Sequence, residues 1–324
     1  MEKKTYKQQV LKAANVLLAA KKVAIMAHLN PDGDTLGCQL ALGLALLNRG
    51  QKVFFLCEDA VPTRLQFMPG SELIGDHQPG KVDVAVAVDC GSSKQMGSME
   101  AVFFKAKNNI QVDHHDFGQA FGKIQVLDHE ASAVGEIIYE IIRAMRSEIT
   151  PAIATCLMTS IIIDTGAFRF SNIRPKTFEI CARLSRTGVD IRHLIEEAYW
   201  IKSRPMALLS SRAILNARFL KDGAVAWAAV SQADIKKHGA GLSDADSVAD
   251  DLRSIEGVKI AALFRETEKG NSRVSLRSKK GINVALVAKR FGGGGHHNSA
   301  GCRIRNSPVE KKKLLDALES LISG

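Results

Sequence analysis

The sequence predicts an α/β fold in two parts: an N-terminal domain built on a parallel sheet with helices on both faces, and a smaller α+β domain after it. Apolar runs of strand length alternate with helical segments along the first 190 residues, as in domains with a mostly parallel sheet. The run KVDVAVAVDC (81–90) is almost continuously apolar, which is typical of a central parallel strand covered on both faces. From residue 218 onward paired strands predominate, which indicates the second domain.

The first domain is predicted to span 1–190. It begins with an amphipathic helix, and its strands are expected in KVAIMAH, KVFFLCED, KVDVAVAVDC, NIQVDHHDFG and KIQVLD. A helix is expected in TLGCQLALGLALLNRG, where Gly50 marks its end. Helices dominate after the last strand, and Pro151 begins one of them.

A charged helical connector is predicted over 191–217 and the second domain over 218–324. The second domain opens with a strand pair, ARFLKDGAVAWAAV, that turns at Lys-Asp-Gly, and it ends with a helix. The four glycines at 292–295 are poor material for a helix or a strand. They predict a loop whose backbone can approach a phosphate closely.

Composition excludes several classes of protein. A hydrophobic fraction of 46% and a mean hydropathy of −0.02 fit a soluble globular protein, and no apolar run approaches the ~20 residues that span a bilayer. The stretch VLLAA near the N-terminus is too short for a signal-peptide core. The six cysteines form no CxxC pair, which argues against a disulfide framework or a zinc ribbon. We expect a cytoplasmic protein with reduced thiols and no membrane partner.

The formal net charge of +10 is unevenly distributed. Residues 1–190 hold 21 Lys and Arg against 20 Asp and Glu, whereas residues 191–324 hold 23 against 14. One interpretation is a solvated basic surface that favours solubility. The other is a C-terminal part that attracts nucleic acid or a nucleotide. Charge alone leaves both open.

Acidic residues and histidines stand where predicted strands and one apolar segment end. In open α/β sheets, ligands bind beyond the carboxyl ends of the strands. Any one of these carboxylates is more often a cap or turn residue. Four segments that all end in this way, however, favour divalent cations, because crowded carboxylates would otherwise repel one another and become protonated. The residues are His28, Asp32, Asp34, Asp89, Asp113, His114, His115 and Asp164.

This set of candidate ligands contains oxygen and imidazole donors and no thiolate. Such donors favour Mn²⁺ or a similar ion over a structural zinc site. There are enough of them for two ions, and a shared carboxylate could bridge the ions at about 3.5–4 Å, as in two-metal phosphoryl-transfer sites.

Four segments, HLNPDGDTLG, VAVDCG, VDHHDF and IIIDTGAFRFSN, resemble in order and spacing the four motifs of the DHH phosphoesterases. The resemblance implies that His28, Asp32 and Asp89 hold one metal ion. It implies that Asp34, Asp89, His114 and Asp164 hold the other, with Asp89 as the bridge and catalytically essential. It further implies that His115 contacts the scissile phosphate and that Asp113 orients the neighbouring imidazoles.

The stretch RFGGGGHHNSAGCRI (290–304) resembles the glycine motif of the DHHA1 domain, which follows the DHH domain in one subfamily. The resemblance implies that this domain binds the nucleotide end of the substrate. Arg277 is then expected to hold phosphate or stack on a base, as its planar fork allows. His296 is expected to contact phosphate, and backbone donors come from Gly293, Gly294 and Gly295. Arg169 and Asn172 are weaker candidates for substrate contact, and no role is assigned to His297.

The resemblance to family members with these two domains implies an enzyme that acts on small nucleotides by two-metal activation of water. It would degrade very short oligoribonucleotides to mononucleotides and convert 3′-phosphoadenosine 5′-phosphate to AMP. Mn²⁺ is the expected cofactor, with Mg²⁺ or Co²⁺ as substitutes, and a homodimer is left open. The alternative is a soluble phosphodiesterase for linear or cyclic dinucleotides that uses the same residues. A third hypothesis, a nucleic-acid-binding protein without catalysis, leaves the clustered acids and histidines unexplained.

Overall fold

A computed structural model describes residues 3–76, 79–115, 119–239, 248–267, 270–279 and 281–322, except the side chains of residues 3, 4 and 296. The chain forms two compact units, residues 1–201 and 202–324. The connector predicted over 191–217 contributes residues to both units, and its role as a connector stays a prediction. Among the described residues, no helix combines the length and the apolar character needed to cross a membrane.

The first unit is built on a six-stranded sheet in the order β3-β2-β1-β4-β5-β6, and all its pairs are parallel. The strands are β1 (Lys22–Met26), β2 (Lys52–Leu56), β3 (Ile74–Gly75), β4 (Val84–Val88), β5 (Asn108–Asp113) and β6 (Ile124–Leu127). The sequence did not predict the two-residue edge strand β3. Because β1 pairs with β2 on one side and β4 on the other, the sheet reverses its direction of winding there. Ligands of such sheets bind beyond the strand ends at this point.

Helices cover both faces of this sheet, as predicted. The helices are α1 (Lys3–Ala19), α2 (Gly33–Leu47), α3 (Glu100–Lys105), α4 (Val134–Ala144), α5 (Pro151–Asp164), α6 (Pro175–Ser185) and α7 (Ile191–Ile195). Short 3₁₀ segments lie at Thr63–Leu65, Ser71–Leu73 and Ser93–Met99, and a π turn at Glu196–Trp200. Val23 and Ile25 of β1 pack in the larger core with α1, α2, α4 and α5. Ala24 and Met26 point to the opposite face, toward Phe103 of α3.

The helices α2 and α5 cross closely, and this contact brings the start of α2 near the end of α5. A Cβ atom on Gly37 of α2 would lie 2.5 Å from the carbonyl oxygen of Cys156 in α5. A Cβ on Gly33 would lie equally close to Ile163. Both positions therefore require glycine. Asp164, the last residue of α5, thus lies near the start of α2.

The second unit is an α+β domain with a mixed sheet in the order β11-β12-β10-β9-β8-β7. Its strands are β7 (Arg218–Leu220), β8 (Val225–Val230), β9 (Ile260–Thr267), β10 (Asn271–Ser278), β11 (Gly294–His296) and β12 (Ser299–Arg305). Its helices are α8 (Arg204–Leu215), α9 (Gln232–His238), α10 (Val248–Ser254), α11 (Val284–Arg290) and α12 (Pro308–Ser320). One face of the sheet packs with α11 and α12, and the other with α8, α9 and α10. The predicted fold class is confirmed.

The glycine run differs from the loop that its composition predicts. Residues Gly294–His296 form the edge strand β11, which pairs antiparallel with β12. The pairing explains two of the glycines. A Cβ on Gly293 would lie 2.0 Å from the carbonyl oxygen of Gly301, and one on Gly295 would lie 2.5 Å from that of Ser299. Close strand pairing outweighs the weak strand propensity of glycine here.

Candidate metal centre

The turn between β1 and α2 positions Asp32 as the N-cap of α2. Its Oδ1 accepts hydrogen bonds of 3.0 Å from the backbone N–H groups of Asp34 and Thr35. A carboxylate in this position satisfies donors that the helix itself leaves unpaired. The capping interpretation of Asp32 is therefore correct. It does not exclude a ligand role, because the cap uses only one of the two carboxylate oxygens.

His28 and Asp89 face each other across the ends of the neighbouring strands β1 and β4. Nε2 of His28 lies 3.5 Å from Oδ2 of Asp89. Nδ1 of His28 lies 2.8 Å from the carbonyl oxygen of Leu29, which can only accept, so Nδ1 carries a proton. Nε2 is therefore the nitrogen directed at the carboxylate. Asp89 has a φ of +57°, a left-handed conformation uncommon for residues other than glycine.

Asp34, in the first turn of α2, is held by the N-terminus of α4. Its Oδ2 accepts from the N–H of Val134 at 2.9 Å, and its Oδ1 accepts from the N–H of Gly135 at 3.3 Å. The hydroxyl of Ser160 in α5 also donates to Oδ1. A negative charge at a helix N-terminus is favourable because of the exposed N–H groups there.

His114 and Asp164 complete the same side of the centre. Nε2 of His114 lies 3.5 Å from Oδ2 of Asp164 and 4.0 Å from Oδ2 of Asp34. Nδ1 of His114 donates to the carbonyl oxygen of Ala131 at 2.9 Å, which directs Nε2 toward the carboxylates.

His115 is oriented by Asp113, the last residue of β5. Nδ1 of His115 donates to Oδ1 of Asp113 at 2.7 Å, and it lies 3.7 Å from Oδ1 of Asp89. Asp113 is almost fully buried. It therefore holds the imidazole from the interior of the domain, and its role in orienting a catalytic histidine stays a prediction.

The predicted ligands lie together at one edge of the sheet. Among the described residues, three groups have ligand atoms within 4.8 Å of one another: His28, Asp32 and Asp89; Asp34, His114 and Asp164; and Asp89, His114 and His115. The first two groups correspond to the two predicted ligand sets. Asp89 belongs to the first and third groups and so stands between the two predicted ligand sets. Its carboxylate oxygens do not lie within 4.8 Å of all the ligand atoms of the second group.

The electrostatics of these residues fit a bound cation. Burial, together with the charges of Asp89 and Asp164, holds the pKa of Asp34 well above its usual range. Burial and the charges of Asp89 and Asp32 raise the pKa of Asp164 to about 7, against the opposing effect of His114. Oδ1 of Asp89 is buried without a hydrogen-bond donor among the described residues. Carboxylate and imidazole donors suit Mg²⁺, Mn²⁺ and related ions.

The pKa values of the histidines are also raised, which for an imidazole favours the charged form. Burial would lower the pKa of His28, but Asp89 and Asp32 raise it to about 9. Burial likewise opposes the charges of Asp164, Asp34 and Asp89, which raise the pKa of His114 to about 10. Protons thus supply the positive charge that a metal would bring, and binding of a metal would displace them.

Thr35 and Ser160 are site residues that the sequence did not predict. The hydroxyl of Thr35 donates to Oδ2 of Asp89 at 2.6 Å, and that of Ser160 donates to Asp34. Thr35 lies within HLNPDGDTLG, next to Asp34, so the motif itself could have indicated it. Ser160 lies one helical turn before Asp164 on α5, and its role depends on how closely α2 and α5 cross.

Comparison with known proteins agrees with this geometry. Residues 22–161 match the model of the DHH family, N-terminal domain, and residues 223–324 match that of the DHHA1 domain. The chain belongs to the DHH/DHHA1 family. The family that the motifs predicted is therefore confirmed. The candidate ligands lie within the residues matched to the DHH domain, except Asp164, which follows them.

Two curated relatives and one solved structure are similar over the whole DHH/DHHA1 chain. The bifunctional oligoribonuclease and PAP phosphatase NrnA of Thermus thermophilus is 27% identical over 322 residues, covering 97% of this chain and 94% of its own. The cyclic-di-AMP phosphodiesterase GdpP of Geobacillus thermodenitrificans is 23% identical over 100% of this chain but 52% of its own. The crystal structure of an exopolyphosphatase-related protein from Bacteroides fragilis has a TM-score of 0.89 at 25% identity, covering 97% and 96% of the two chains.

The predicted substrate residues of the DHHA1 domain are described within that domain alone. Nε of Arg277 in β10 lies 3.1 Å from Oδ1 of Asp250 in α10, so its guanidinium already has a carboxylate partner. A Cβ on Gly294 would meet no atom within 4 Å, in contrast to Gly293 and Gly295. Strand packing therefore does not explain why residue 294 is a glycine. The backbone of His296 lies in β11, and its side chain lies outside the described residues.

The two weaker candidates in the DHH domain lie in the turn after α5. Nε of Arg169 donates to the carbonyl oxygen of Gly166, and its guanidinium lies 4.9 Å from the ring centre of Tyr199. Nδ2 of Asn172 donates to the carbonyl oxygens of Ser132 at 2.8 Å and Asp164 at 3.1 Å. Substrate contact by either residue stays a prediction.

Proposed function

We propose that this protein is a metal-dependent phosphoesterase that hydrolyses very short oligoribonucleotides to mononucleotides and 3′-phosphoadenosine 5′-phosphate to AMP. The observation that carries the proposal is the convergence of four carboxylates and two imidazoles into two ligand groups at the switch point of the sheet. The substrate class is supported by the similarity to NrnA over nearly the full length of both chains.

We propose two Mn²⁺ ions as the cofactor, with Mg²⁺ or Co²⁺ as substitutes. His28, Asp32 and Asp89 would hold one ion, and Asp34, Asp89, His114 and Asp164 the other. Ions bound there would polarise phosphoryl oxygens and lower the pKa of coordinated water. The protein residues fix the ligand geometry before binding, since Asp32, Asp34 and Asp89 each accept a hydrogen bond from the chain.

His115 is suited to contact the scissile phosphate. Burial would lower its pKa, but the hydrogen bond to Asp113 and the charge of Asp89 raise it to about 9. The raised pKa favours the imidazolium in the metal-free protein, a cation that can donate a charge-assisted hydrogen bond to a phosphoryl oxygen. Asp113 orients the ring through its hydrogen bond with Nδ1.

In the DHHA1 domain, the proposal assigns substrate contacts to Arg277, His296 and the backbone of the glycine run. Arg277 would exchange its contact with Asp250, which is 42% exposed on its side chain, for a phosphate. The side chains of Arg277 and Asp250 are 21% and 42% exposed, so solvent partly screens the attraction that the exchange gives up. The open space at Gly294 supports a close approach of ligand to the backbone.

A phosphodiesterase for linear or cyclic dinucleotides is the second candidate. The similarity to GdpP favours it, because GdpP is named for cyclic-di-AMP and matches the whole of this chain. The match spans about half of GdpP, whereas the match to NrnA spans 94% of NrnA at higher identity. The oligoribonuclease and phosphatase assignment therefore comes first.

A substrate panel tests this order. RNAs of two to five nucleotides, 3′-phosphoadenosine 5′-phosphate and cyclic dinucleotides are incubated separately with the protein and Mn²⁺. We expect turnover of the short RNAs and the bisphosphate, and loss of both activities in Asp89→Ala but not in the control Asp316→Ala on the exposed face of α12. Turnover of cyclic dinucleotides alone would establish the second candidate instead. Binding of RNA unaffected by Asp89→Ala, without hydrolysis of any substrate, would contradict both.

A cytoplasmic location completes the proposal, and a homodimer is left open. All six cysteines are free and buried, which is consistent with a reducing compartment. Light scattering of the purified protein measures its mass in solution and tests the assembly directly.

A further inference from the structure

One short backbone segment, residues 131–135, contacts two ligands of the same group. The carbonyl oxygen of Ala131 accepts from Nδ1 of His114 at 2.9 Å. The N–H groups of Val134 and Gly135 donate to the two carboxylate oxygens of Asp34 at 2.9 and 3.3 Å. Because all three contacts use backbone atoms of one segment, any displacement of that segment moves both ligands together.

Asn172 connects the third ligand of the group to the same segment. Its Nδ2 donates to the carbonyl oxygen of Ser132 at 2.8 Å and to that of Asp164 at 3.1 Å. A side-chain amide has two N–H donors, and these two contacts use both. Asp164 is the last residue of α5, so Asn172 fixes the helix end from which the carboxylate projects.

We propose that residues 131–135 and Asn172 form a clamp that sets the relative positions of Asp34, His114 and Asp164, and that Asn172 is a positioning residue of the metal centre. The inference rests on the proposed function, since it concerns the second of the two proposed ions. It assigns Asn172 a role in metal binding in place of substrate contact.

The clamp is anchored in the interior of the DHH domain. Oγ of Ser132 lies 2.6 Å from Oγ1 of Thr177 in α6 and 2.6 Å from the backbone oxygen of Asn172. Thr177 in turn donates to the carboxylate of Glu136, which is fully buried in α4. Arg174 neutralises this carboxylate through Nη2 at 2.6 Å and Nε at 3.0 Å. Each hydroxyl and the buried carboxylate therefore has a partner, which is the condition for a rigid polar network.

The turn between Asp164 and Asn172 adopts an unusual backbone conformation. Gly166, Ala167 and Phe168 have φ values of +59°, +53° and +63°. Residues with a side chain rarely adopt left-handed conformations, and they do so where the surrounding structure imposes them. These residues reverse the chain directly after α5, so that Asn172 returns to the carbonyl group of Asp164.

A positioning role and a substrate-contact role predict different kinetic changes. Loss of the clamp raises the Mn²⁺ concentration needed for activity and lowers kcat, with little change in KM at saturating Mn²⁺. Loss of a substrate contact raises KM and leaves the Mn²⁺ requirement unchanged. Substitutions of residues that support metal ligands typically weaken metal binding by about 10–100-fold.

The test is a calorimetric titration of the full chain with Mn²⁺, using Asn172→Asp and Asn172→Ala. Asn172→Asp keeps the size of the side chain and replaces the NH₂ group, which supplies both N–H donors, by an oxygen. Asn172→Ala removes the amide altogether. Asn172 is exposed, so both variants are expected to fold, and thermal unfolding in EDTA verifies this. Gln51→Ala is the matched control, because Nε2 of Gln51 also bridges two carbonyl oxygens, those of Leu17 and Ala20, at 2.7 Å each.

We expect the wild-type chain to bind two Mn²⁺ ions. Gln51→Ala should bind each of them with the same affinity as the wild type. In the Asn172 variants we expect one ion to bind as in the wild type and the other about 10–100-fold more weakly. Two ions bound with wild-type affinity by both Asn172 variants would overturn the clamp alone, and a raised KM would then establish the substrate-contact role. Absence of Mn²⁺ binding by the wild-type chain would overturn the proposed function as well.

Discussion

The hydroxyl of Thr35 donates a hydrogen bond of 2.6 Å to Oδ2 of Asp89, the same oxygen that faces Nε2 of His28 at 3.5 Å. Both Thr35 and Asp89 are buried. The two residues lie on different elements, since Thr35 belongs to the first turn of α2 and Asp89 follows β4. The helix that carries Asp34 therefore also orients the carboxylate that stands between the two ligand sets.

Thr35→Val is expected to weaken Mn²⁺ binding while keeping the fold. The substitution conserves shape and removes one hydrogen bond to a charged group, worth roughly 1.5–3 kcal/mol, which corresponds to about a tenfold to hundredfold loss of affinity. Calorimetric titration with Mn²⁺ measures the change. Thr159→Val is the control, because the hydroxyl of Thr159 is also buried but donates to the carbonyl oxygen of Thr155 within α5. Equal Mn²⁺ affinities for the two variants would contradict the role of Thr35.

Asp113→Asn is expected to move the alkaline limit of activity to lower pH. Asparagine can still accept from Nδ1 of His115, but it removes the negative charge that favours the imidazolium. The pKa of His115, raised to about 9 in the wild type, then falls, since an adjacent opposite charge shifts a pKa by about 1–3 units. The wild type therefore keeps the imidazolium of His115 to higher pH than the variant does.

The measurement for this variant is the pH profile of kcat/KM at saturating Mn²⁺. A profile that keeps the wild-type alkaline limit, with only a uniform loss of rate, would contradict an imidazolium role for His115. It would indicate instead that Asp113 serves only to hold the ring in place.

The convergence of the candidate metal ligands could be predicted from the sequence, whereas the contacts of Asn172 beside them could not. His28, Asp89 and His114 follow strands of one parallel sheet, so the pattern of strand ends suffices to bring them together. The contacts of Asn172 are with carbonyl oxygens, which every residue possesses, so nothing in the sequence distinguishes its partners. Only the left-handed turn after α5 and the course of residues 131–135 determine them.

The glycine run shows a similar division. Its composition predicted a loop whose backbone approaches a phosphate, whereas the structure has an edge strand at Gly294–His296. For Gly293 and Gly295 the neighbour is the strand β12 of the same sheet. Strand pairing across the run depends on residues 299–301, whose register no local pattern specifies.

Stabilisation by Mn²⁺ is expected to increase with pH. In the metal-free protein, His28 and His114 have pKa values raised to about 9 and 10, above the ordinary value of 6.5. Their contribution to stability is therefore fully present below pH 6.5 and is lost as the pH rises toward 9 and 10. A metal ion requires neutral imidazoles, so it competes with these protons and binds more tightly as the pH rises.

Thermal unfolding at pH 6.5 and pH 8.5, in EDTA and in excess Mn²⁺, measures this effect. The Tm in EDTA should be lower at pH 8.5 than at pH 6.5, because this range lies between the ordinary pKa of histidine and the raised pKa of His28. The increase in Tm produced by Mn²⁺ should be larger at pH 8.5. His28→Gln is the control and should show a smaller growth. A Mn²⁺ effect independent of pH would contradict displacement of protons from these histidines.

Gly294→Ala and Gly295→Ala separate ligand binding from folding in the DHHA1 domain. A Cβ on Gly294 meets no atom within 4 Å, so the fold should tolerate alanine there. On Gly295, which has a φ of +131°, the Cβ would lie 2.5 Å from the carbonyl oxygen of Ser299, so alanine should destabilise the domain.

If the backbone at Gly294 approaches a substrate phosphate, the added methyl group blocks that approach. Loss of one hydrogen bond to a charged group costs roughly 1.5–3 kcal/mol, so KM for a short RNA should rise at least about tenfold with an unchanged Tm. Steady-state kinetics and thermal unfolding of both variants provide the comparison. An unchanged KM for Gly294→Ala, with a lowered Tm for Gly295→Ala, would mean that the run serves strand pairing alone.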